Sequence, residues 1–219
     1  MDYEYRDLRS HAGVVRIALI IWAIVSIGYA ATAAHSVVTI AAFNDGAATM
    51  EDLTRIDAIS LPAAWLMMAV NLVTIVLVAI WIYRANRNAH ALSDEMEMTP
   101  GWNIGWFFVP IFTFWKPFQG LAQSWRTSVS PVDSDNVDLP GWMRLWWGCW
   151  IISSLINNVI FRLELRADSL DDYQLTAWLE IICLPFELVA VWTLMMLVKQ
   201  LSQIQHDAQE TREHAAAFE

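Results

Sequence analysis

Four long apolar runs restrict most strongly how this sequence can fold. They cover about residues 14–43, 59–83, 142–163 and 175–198. Each is near or above the roughly 20 residues that a helix needs to cross a bilayer. Hydrophobic residues make up 57% of the 219 positions, more than a soluble domain of this length normally carries. The runs predict an all-α, polytopic membrane helix bundle with four transmembrane helices.

The remaining sequence leaves little room for a second domain. Residues 1–13 form a polar head, residues 14–199 hold the membrane bundle, and residues 200–219 form a polar tail with a helical pattern. The first apolar run is too long for the core of a signal peptide and lacks a small-residue cleavage site. We therefore expect it to stay in place as a signal anchor.

A proline-rich and tryptophan-rich segment, 100–128, lies between the second and third runs. It begins PGWNIGWFFVPIFTFWKPFQ. Residues 101–115 are too few to cross, and Pro110 interrupts them. Apolar residues then recur at helical spacing from Phe118 to Trp125. We expect a re-entrant or interfacial amphipathic element. Its tryptophans are candidate interface anchors: Trp102, Trp106, Trp115 and Trp125.

Basic residues predict the orientation. With four crossings, only Arg55, Arg162 and Arg166 of the 13 basic residues fall on one side. Lysine and arginine are enriched in cytoplasmic loops. Both termini and segment 100–128 are therefore predicted to be cytoplasmic, although a crossing by residues 101–115 would move the tail outside.

Net charge and cysteine placement exclude several protein classes. The net charge is −10, and the acidic residues crowd the loops and the tail, which argues against a nucleic-acid-binding face. Cys149 and Cys183 lie inside apolar runs and predict neither a disulfide framework nor a metal site. His35 lacks a second histidine at a matching position, so haem or another pigment is not implied. No phosphate loop or activated nucleophile is evident, and nothing indicates an enzyme.

Two carboxylates inside the fourth run are the strongest chemical candidates. Glu180 and Glu187 are seven residues apart and share a helix face. Depth along the spans matches Asn71 to Glu187, and Asn157 with Asn158 to Glu180. Glu180, Glu187, Asn71 and Asn157 could line a proton or cation path or a ligand pocket. The alternatives are hydrogen bonds between helices, each worth roughly 1 kcal/mol, or a contact with a partner subunit.

Several motifs resemble one bacterial membrane family, which is catalogued as domain of unknown function 4328. The motifs are WIYRANRNAHAL (81–92), TPGWNIGWFFVPIFTFWKPFQ (99–119), SWRTS (124–128) and LVKQLSQIQ (197–205). The resemblance covers roughly residues 61–205. It implies a polytopic protein of bacterial origin and hence the inner (cell) membrane. It implies no activity and no functional residue.

Two functions follow from these features. The chain is small, with short loops and surfaces rich in tryptophan and small residues, which favours an interaction or accessory subunit of a larger membrane complex. The alternative is a small proton or cation transporter or channel that uses Glu180 and Glu187. The expected partners are the lipid bilayer and either other membrane subunits or further copies of this chain.

Overall fold

The computed structural model describes residues 3–94 and 96–216, and within them the regular structure is helical. Two 3₁₀ turns, Trp106–Phe108 and Phe112–Phe114, separate the third helix from the fourth. The α-helices are α1 (Arg9–Asn44), α2 (Met50–Leu92), α3 (Pro100–Gly105), α4 (Lys116–Val129), α5 (Gly141–Glu164) and α6 (Leu170–Ala216). The predicted all-α class is confirmed.

Three helices, α1, α2 and α6, are long and apolar enough to cross a membrane. Their most apolar windows have mean hydropathies of 2.1, 2.4 and 2.3. Helix α5 is 24 residues long but is not one of the three, because Ser153, Ser154, Asn157 and Asn158 interrupt its apolar run. The three helices identify the chain as a membrane protein.

The apolar side chains of α2 point outward. Only 6% of its most apolar window is buried. Trp65, Leu72, Val73 and Val76 are each more than half exposed. A continuous apolar surface of this kind is rare on a soluble monomer. It is the surface expected of a helix that lies against lipid.

Helices α2 and α6 begin earlier than the predicted spans, which start at 59 and 175. At the start of α2, Asp52 accepts hydrogen bonds from the backbone N–H of Thr49 at 2.9 Å and from its hydroxyl at 2.8 Å. Asp172 accepts the same pair from Ser169, at 3.2 and 2.6 Å. These capping boxes satisfy free N–H groups and start the helices in the polar connectors. The predicted connector 44–57 is therefore largely helical.

The helical structure of segment 100–128 is interrupted, as its prolines and glycines predict. Helix α3 has six residues, and the chain turns at Ile111, whose φ is 68°. A positive φ is unusual for a β-branched residue. The predicted amphipathic helix is α4, whose inner face includes Leu121, Ala122 and Trp125.

The chain divides into two compact units. The first unit comprises Met1–Ala18, Thr74–Leu145 and Thr193–Glu219, and the second comprises Leu19–Val73 and Trp146–Trp192. In the first unit, fully buried residues include Leu8, Trp81, Leu121, Met143 and Leu197. In the second unit, Ala33 and Val37 of α1 pack with Ala177 and Ile181 of α6. Small side chains allow these two helices to approach closely.

Candidate functional site

Glu187 of α6 lies at the centre of a polar cluster in the second unit. Its Oε2 accepts a hydrogen bond from the Ser26 hydroxyl of α1 at 3.1 Å. Its Oε1 accepts one from the Asn157 amide of α5 at 3.0 Å. The buried Cys183 thiol lies 3.6 Å from the same oxygen. One carboxylate thus joins three helices through both of its oxygens.

Glu180 lies two helical turns earlier on the same face of α6. Its Oε1 accepts a hydrogen bond from the Tyr29 hydroxyl of α1 at 2.8 Å. Seven residues of helix separate the two carboxylates by about 10 Å along the axis. Both therefore lie against α1, and each has a hydroxyl of α1 as a partner.

The predicted pairing by depth differs from the structure. Asn157 contacts Glu187 rather than Glu180. Asn158 accepts a hydrogen bond from Arg162 at 2.9 Å. Asn71 accepts one from the indole of Trp22 at 3.2 Å. The structure thus brings Glu187 and Asn157 together and places Asn71 in a separate contact between α1 and α2. Depth fixes a level along a helix, but it does not fix which face a side chain occupies.

The hydroxyl partners on α1 are the residues that the sequence analysis missed. These partners are Ser26 and Tyr29, and Thr32 and Ser36 continue the series at intervals of three or four residues, although the hydroxyls of the last two donate to carbonyls of α1 itself. That spacing places them on one face of a helix. This stripe of polar residues within an apolar run is the sequence pattern that could have identified the hydroxyl face of α1.

A cavity of about 360 Å³ opens beside Glu180 in the second unit. Three carboxylates line it, those of Asp57, Glu164 and Glu180, together with hydroxyls that include those of Tyr29 and Ser60. Its volume lies at the lower end of the range for small-ligand pockets, about 300–1,000 Å³. The cavity presents carboxyl and hydroxyl oxygens, but among the described residues its carboxylates do not form a group of three that could hold a metal ion.

The first unit holds a second polar cluster, whose side chains Asn88, Gln205 and Ser128 are buried. The Asn88 amide bonds both backbone groups of Arg6, accepting from its N–H at 3.0 Å and donating to its carbonyl at 2.8 Å. The Gln205 amide donates to the Ala85 carbonyl at 2.8 Å and to the Ser128 hydroxyl at 3.0 Å. These amides hold the N-terminal segment against helices α2, α4 and α6.

Ionisable groups of the N-terminal segment lie beside this cluster. Burial, with the nearby charge of Asp7, raises the pKa of Tyr5 to about 12. The Tyr5 hydroxyl is buried and has no hydrogen-bond partner among the described residues. A hydrogen bond from the Arg9 side chain lowers the pKa of Asp7. This end of the chain is therefore structural in character.

The predicted interface anchors occupy two environments. Trp102 and Trp115 are 55% and 40% exposed. Trp106 is half-buried and packs against Trp102, with ring centroids 4.8 Å apart. Trp125 is only 5% exposed and packs edge-on against Trp142, a position that does not suit an anchor at a membrane surface.

Potential metal ligands and thiols are described for residues 3–94 and 96–216. Among those residues, no group of three or more His, Cys, Asp or Glu side chains could hold a metal ion. His35 is exposed on α1. Cys149 and Cys183 are buried free thiols.

Comparison with known proteins identifies a family and nothing narrower. No curated protein and no solved structure matches the chain. The family described as domain of unknown function (DUF4328) matches residues 44–203. The match includes all of α2 to α5, and α6 as far as residue 203. It confirms the resemblance carried by the motifs, and the chain therefore belongs to the DUF4328 family.

Proposed function

We propose that this chain is a four-span protein of the bacterial inner membrane that carries protons or small cations on Glu180 and Glu187. The hydrogen bonds that both carboxylates receive from α1, combined with the cavity at Glu180, carry the proposal. Carboxylates inside a membrane are rare because of their cost, and they commonly mark ion or proton paths.

Helix α5 is the fourth span in this proposal. Its 24 residues give about 36 Å of helix, enough for a hydrocarbon core of about 30 Å. An even number of crossings puts the head and tail on the same side, and the distribution of arginine and lysine puts that side in the cytoplasm. Segment 100–128 then lies at the cytoplasmic face.

The carboxylates divide the path into two steps. An ion enters the cavity lined by Asp57, Glu164 and Glu180. It moves next to Glu187, whose two oxygens accept hydrogen bonds from the Ser26 hydroxyl and the Asn157 amide NH₂. Carboxylate, hydroxyl and amide oxygens are ligands for hard cations, and a carboxylate that exchanges its proton serves a proton path equally.

Flux through reconstituted vesicles tests this proposal. The purified chain is incorporated into liposomes, and proton, sodium and potassium fluxes are recorded with internal indicator dyes under an imposed gradient. We expect flux in the natural chain and its loss in Glu180→Gln and Glu187→Gln, because each amide keeps the shape but cannot carry the charge. Glu97→Gln removes an exposed carboxylate elsewhere and should leave flux unchanged. Equal flux in all four proteins, or none above empty vesicles, contradicts the proposal.

A role as an accessory subunit is the second candidate, and a different observation favours it. Trp65 and Trp192 are 61% and 57% exposed, and neither indole N–H has a hydrogen-bond partner among the described residues. An indole N–H within a membrane is stabilised when a neighbouring chain accepts its hydrogen bond. Purification in mild detergent tests this candidate. Co-purification of another membrane protein in a fixed ratio, lost on Trp192→Leu, supports it, and isolation of this chain alone contradicts it.

A further inference from the structure

A groove of about 890 Å³ lies in the first unit, apart from the intramembrane carboxylates. Its lining includes residues of α4 together with Trp102 and Trp106. Ser134, Asp135 and Leu139, from the loop after α4, also line it. Its volume is in the upper part of the range for small-molecule pockets, about 300–1,000 Å³. The groove can hold a ligand larger than an ion.

Charges of both signs line the groove. Lys116 and Arg126 are ten residues apart on α4, about 15 Å along the helix. Glu97 and Asp135 supply two carboxylates. None of the four forms a salt bridge within the described part of the chain, and the Arg126 Nε instead donates to the Val137 carbonyl at 3.1 Å. The groove therefore presents two available cations and two available anions.

The apolar wall of the groove continues into an exposed aromatic strip. Trp102, Trp106 and Phe118 line the groove itself. Trp106 also packs against Phe112, with ring centroids 5.1 Å apart, and Phe112 packs against Trp115 at 5.4 Å. Phe108 and Ile111, in the same segment, are 77% and 67% exposed. An apolar chain that leaves the groove along this strip stays in contact with aromatic side chains.

We propose that the groove binds one phospholipid whose headgroup carries both a phosphate and a primary ammonium. The phosphate lies at Lys116, the ammonium lies between the carboxylates, and one acyl chain runs over Trp102, Trp106 and Phe118. Balanced charge favours this dipolar headgroup over a purely anionic one, because Glu97 and Asp135 repel a second negative charge. The proposal uses the placement of segment 100–128 at the membrane surface, but it does not use the ion path.

Photolabelling of the full-length, delipidated chain in detergent tests the site. The probe is phosphatidylethanolamine with a diazirine in one acyl chain, and the labelled peptides are identified by mass spectrometry. We expect preferential labelling of peptides that contain Trp102, Trp106 and Phe118. Lys116→Gln should weaken binding about tenfold, the loss expected for one charge-assisted hydrogen bond. Lys199→Gln removes an exposed lysine outside the groove and serves as the matched control.

Competitors identify the ligand class. Unlabelled phosphatidylethanolamine should displace the probe better than phosphatidylglycerol does, and glycerophosphoethanolamine should compete poorly because it lacks the acyl chain. The proposal is overturned by labelling that Lys116→Gln leaves unchanged, by preference for phosphatidylglycerol, or by equal competition from the soluble headgroup. Glu187→Gln should keep full labelling, so a failure of the ion path leaves this result intact.

Discussion

The hydroxyl of Tyr29 donates a 2.8 Å hydrogen bond to the carboxylate of Glu180, which lies 151 positions later in the chain. Ser26, one turn earlier on α1, donates to Glu187 at 3.1 Å. The two contacts form a polar ladder between α1 and α6 within otherwise apolar surfaces. The ladder links the fold of the second unit to its proposed function.

Tyr29→Phe should destabilise the protein by about 1 kcal/mol, because Glu180 loses a hydrogen-bond donor while the ring keeps its packing. Thermal unfolding in detergent micelles measures this loss as a lower melting temperature. The same variant should reduce ion flux in vesicles. An unchanged melting temperature would show that the contact does not stabilise the fold.

Tyr5→Phe is the matched change at the other buried phenol, and the opposite result is expected. The Tyr5 hydroxyl is buried, and none of the residues 3–94 and 96–216 forms a hydrogen bond with it. Removing an unsatisfied polar group avoids its desolvation cost. The melting temperature should therefore stay the same or rise, and a clear fall would mean that the hydroxyl has a partner.

The raised pKa of Tyr5 makes the stability of the folded protein depend on pH. The pKa of Tyr5 in the folded protein, about 12, lies above the ordinary tyrosine value of 10.0, so folding favours the neutral phenol. The associated stability is complete below pH 10 and is lost as pH rises from 10 through about 12. Unfolding by denaturant across this window should show a smaller alkaline loss in Tyr5→Phe than in the natural chain. Parallel pH profiles would contradict the assignment.

Asn88→Ala should destabilise the first unit. It leaves the part-buried N–H and carbonyl of Arg6 and the buried side-chain oxygen of Gln205 without this partner, and a buried unsatisfied group costs about 1–3 kcal/mol. Limited proteolysis should then cut near the N-terminus sooner, and the melting temperature should fall. Asn136→Ala, at an exposed asparagine in the loop after α4, is the control and should behave like the natural chain.

Gly120→Ala should be destabilising because the added methyl group would overlap the Asn103 side chain and Met98. Asn103 is fully buried, and its side-chain nitrogen and oxygen have no hydrogen-bond partner within the part of the chain that the structure describes. Asn103→Ala should therefore be tolerated and should partly rescue Gly120→Ala in the double variant. If the melting temperature of the double variant falls by the sum of the falls in the two single variants, the methyl group at residue 120 and the Asn103 side chain do not interact.

The sequence predicts helices more readily than contacts between them. The apolar runs indicate all of the long helices, because length and hydropathy are local properties. The starts at Met50 and Leu170 could also be predicted, since Thr49 with Asp52 and Ser169 with Asp172 match the capping-box pattern. Hydropathy alone misses them because the first turns are polar.

The sequence proposes Glu180 and Glu187 for the candidate site but does not predict their hydrogen-bond partners. Glu180 and Glu187 are conspicuous as charges within an apolar run. Their partners Tyr29 and Ser26 depend on the rotation of α1 about its axis, which neither depth nor composition determines. The burial of the amides Asn86, Asn88 and Gln205 could not be predicted either. Arg84 and Arg87, which neighbour the two asparagines in the sequence, indicate an aqueous surface.

The most direct test of the account is whether lipid surrounds the exposed face of α2. A spin label is attached at Leu72→Cys in reconstituted membranes, with Asp168→Cys as the control outside the spans. Leu72 is 59% exposed, whereas Cys149 and Cys183 are buried and should not react with the label. We predict that the label at residue 72 collides readily with oxygen and rarely with a water-soluble nickel complex, and that residue 168 shows the reverse. Frequent collisions between the nickel complex and the label at residue 72 would contradict the membrane placement on which the account depends.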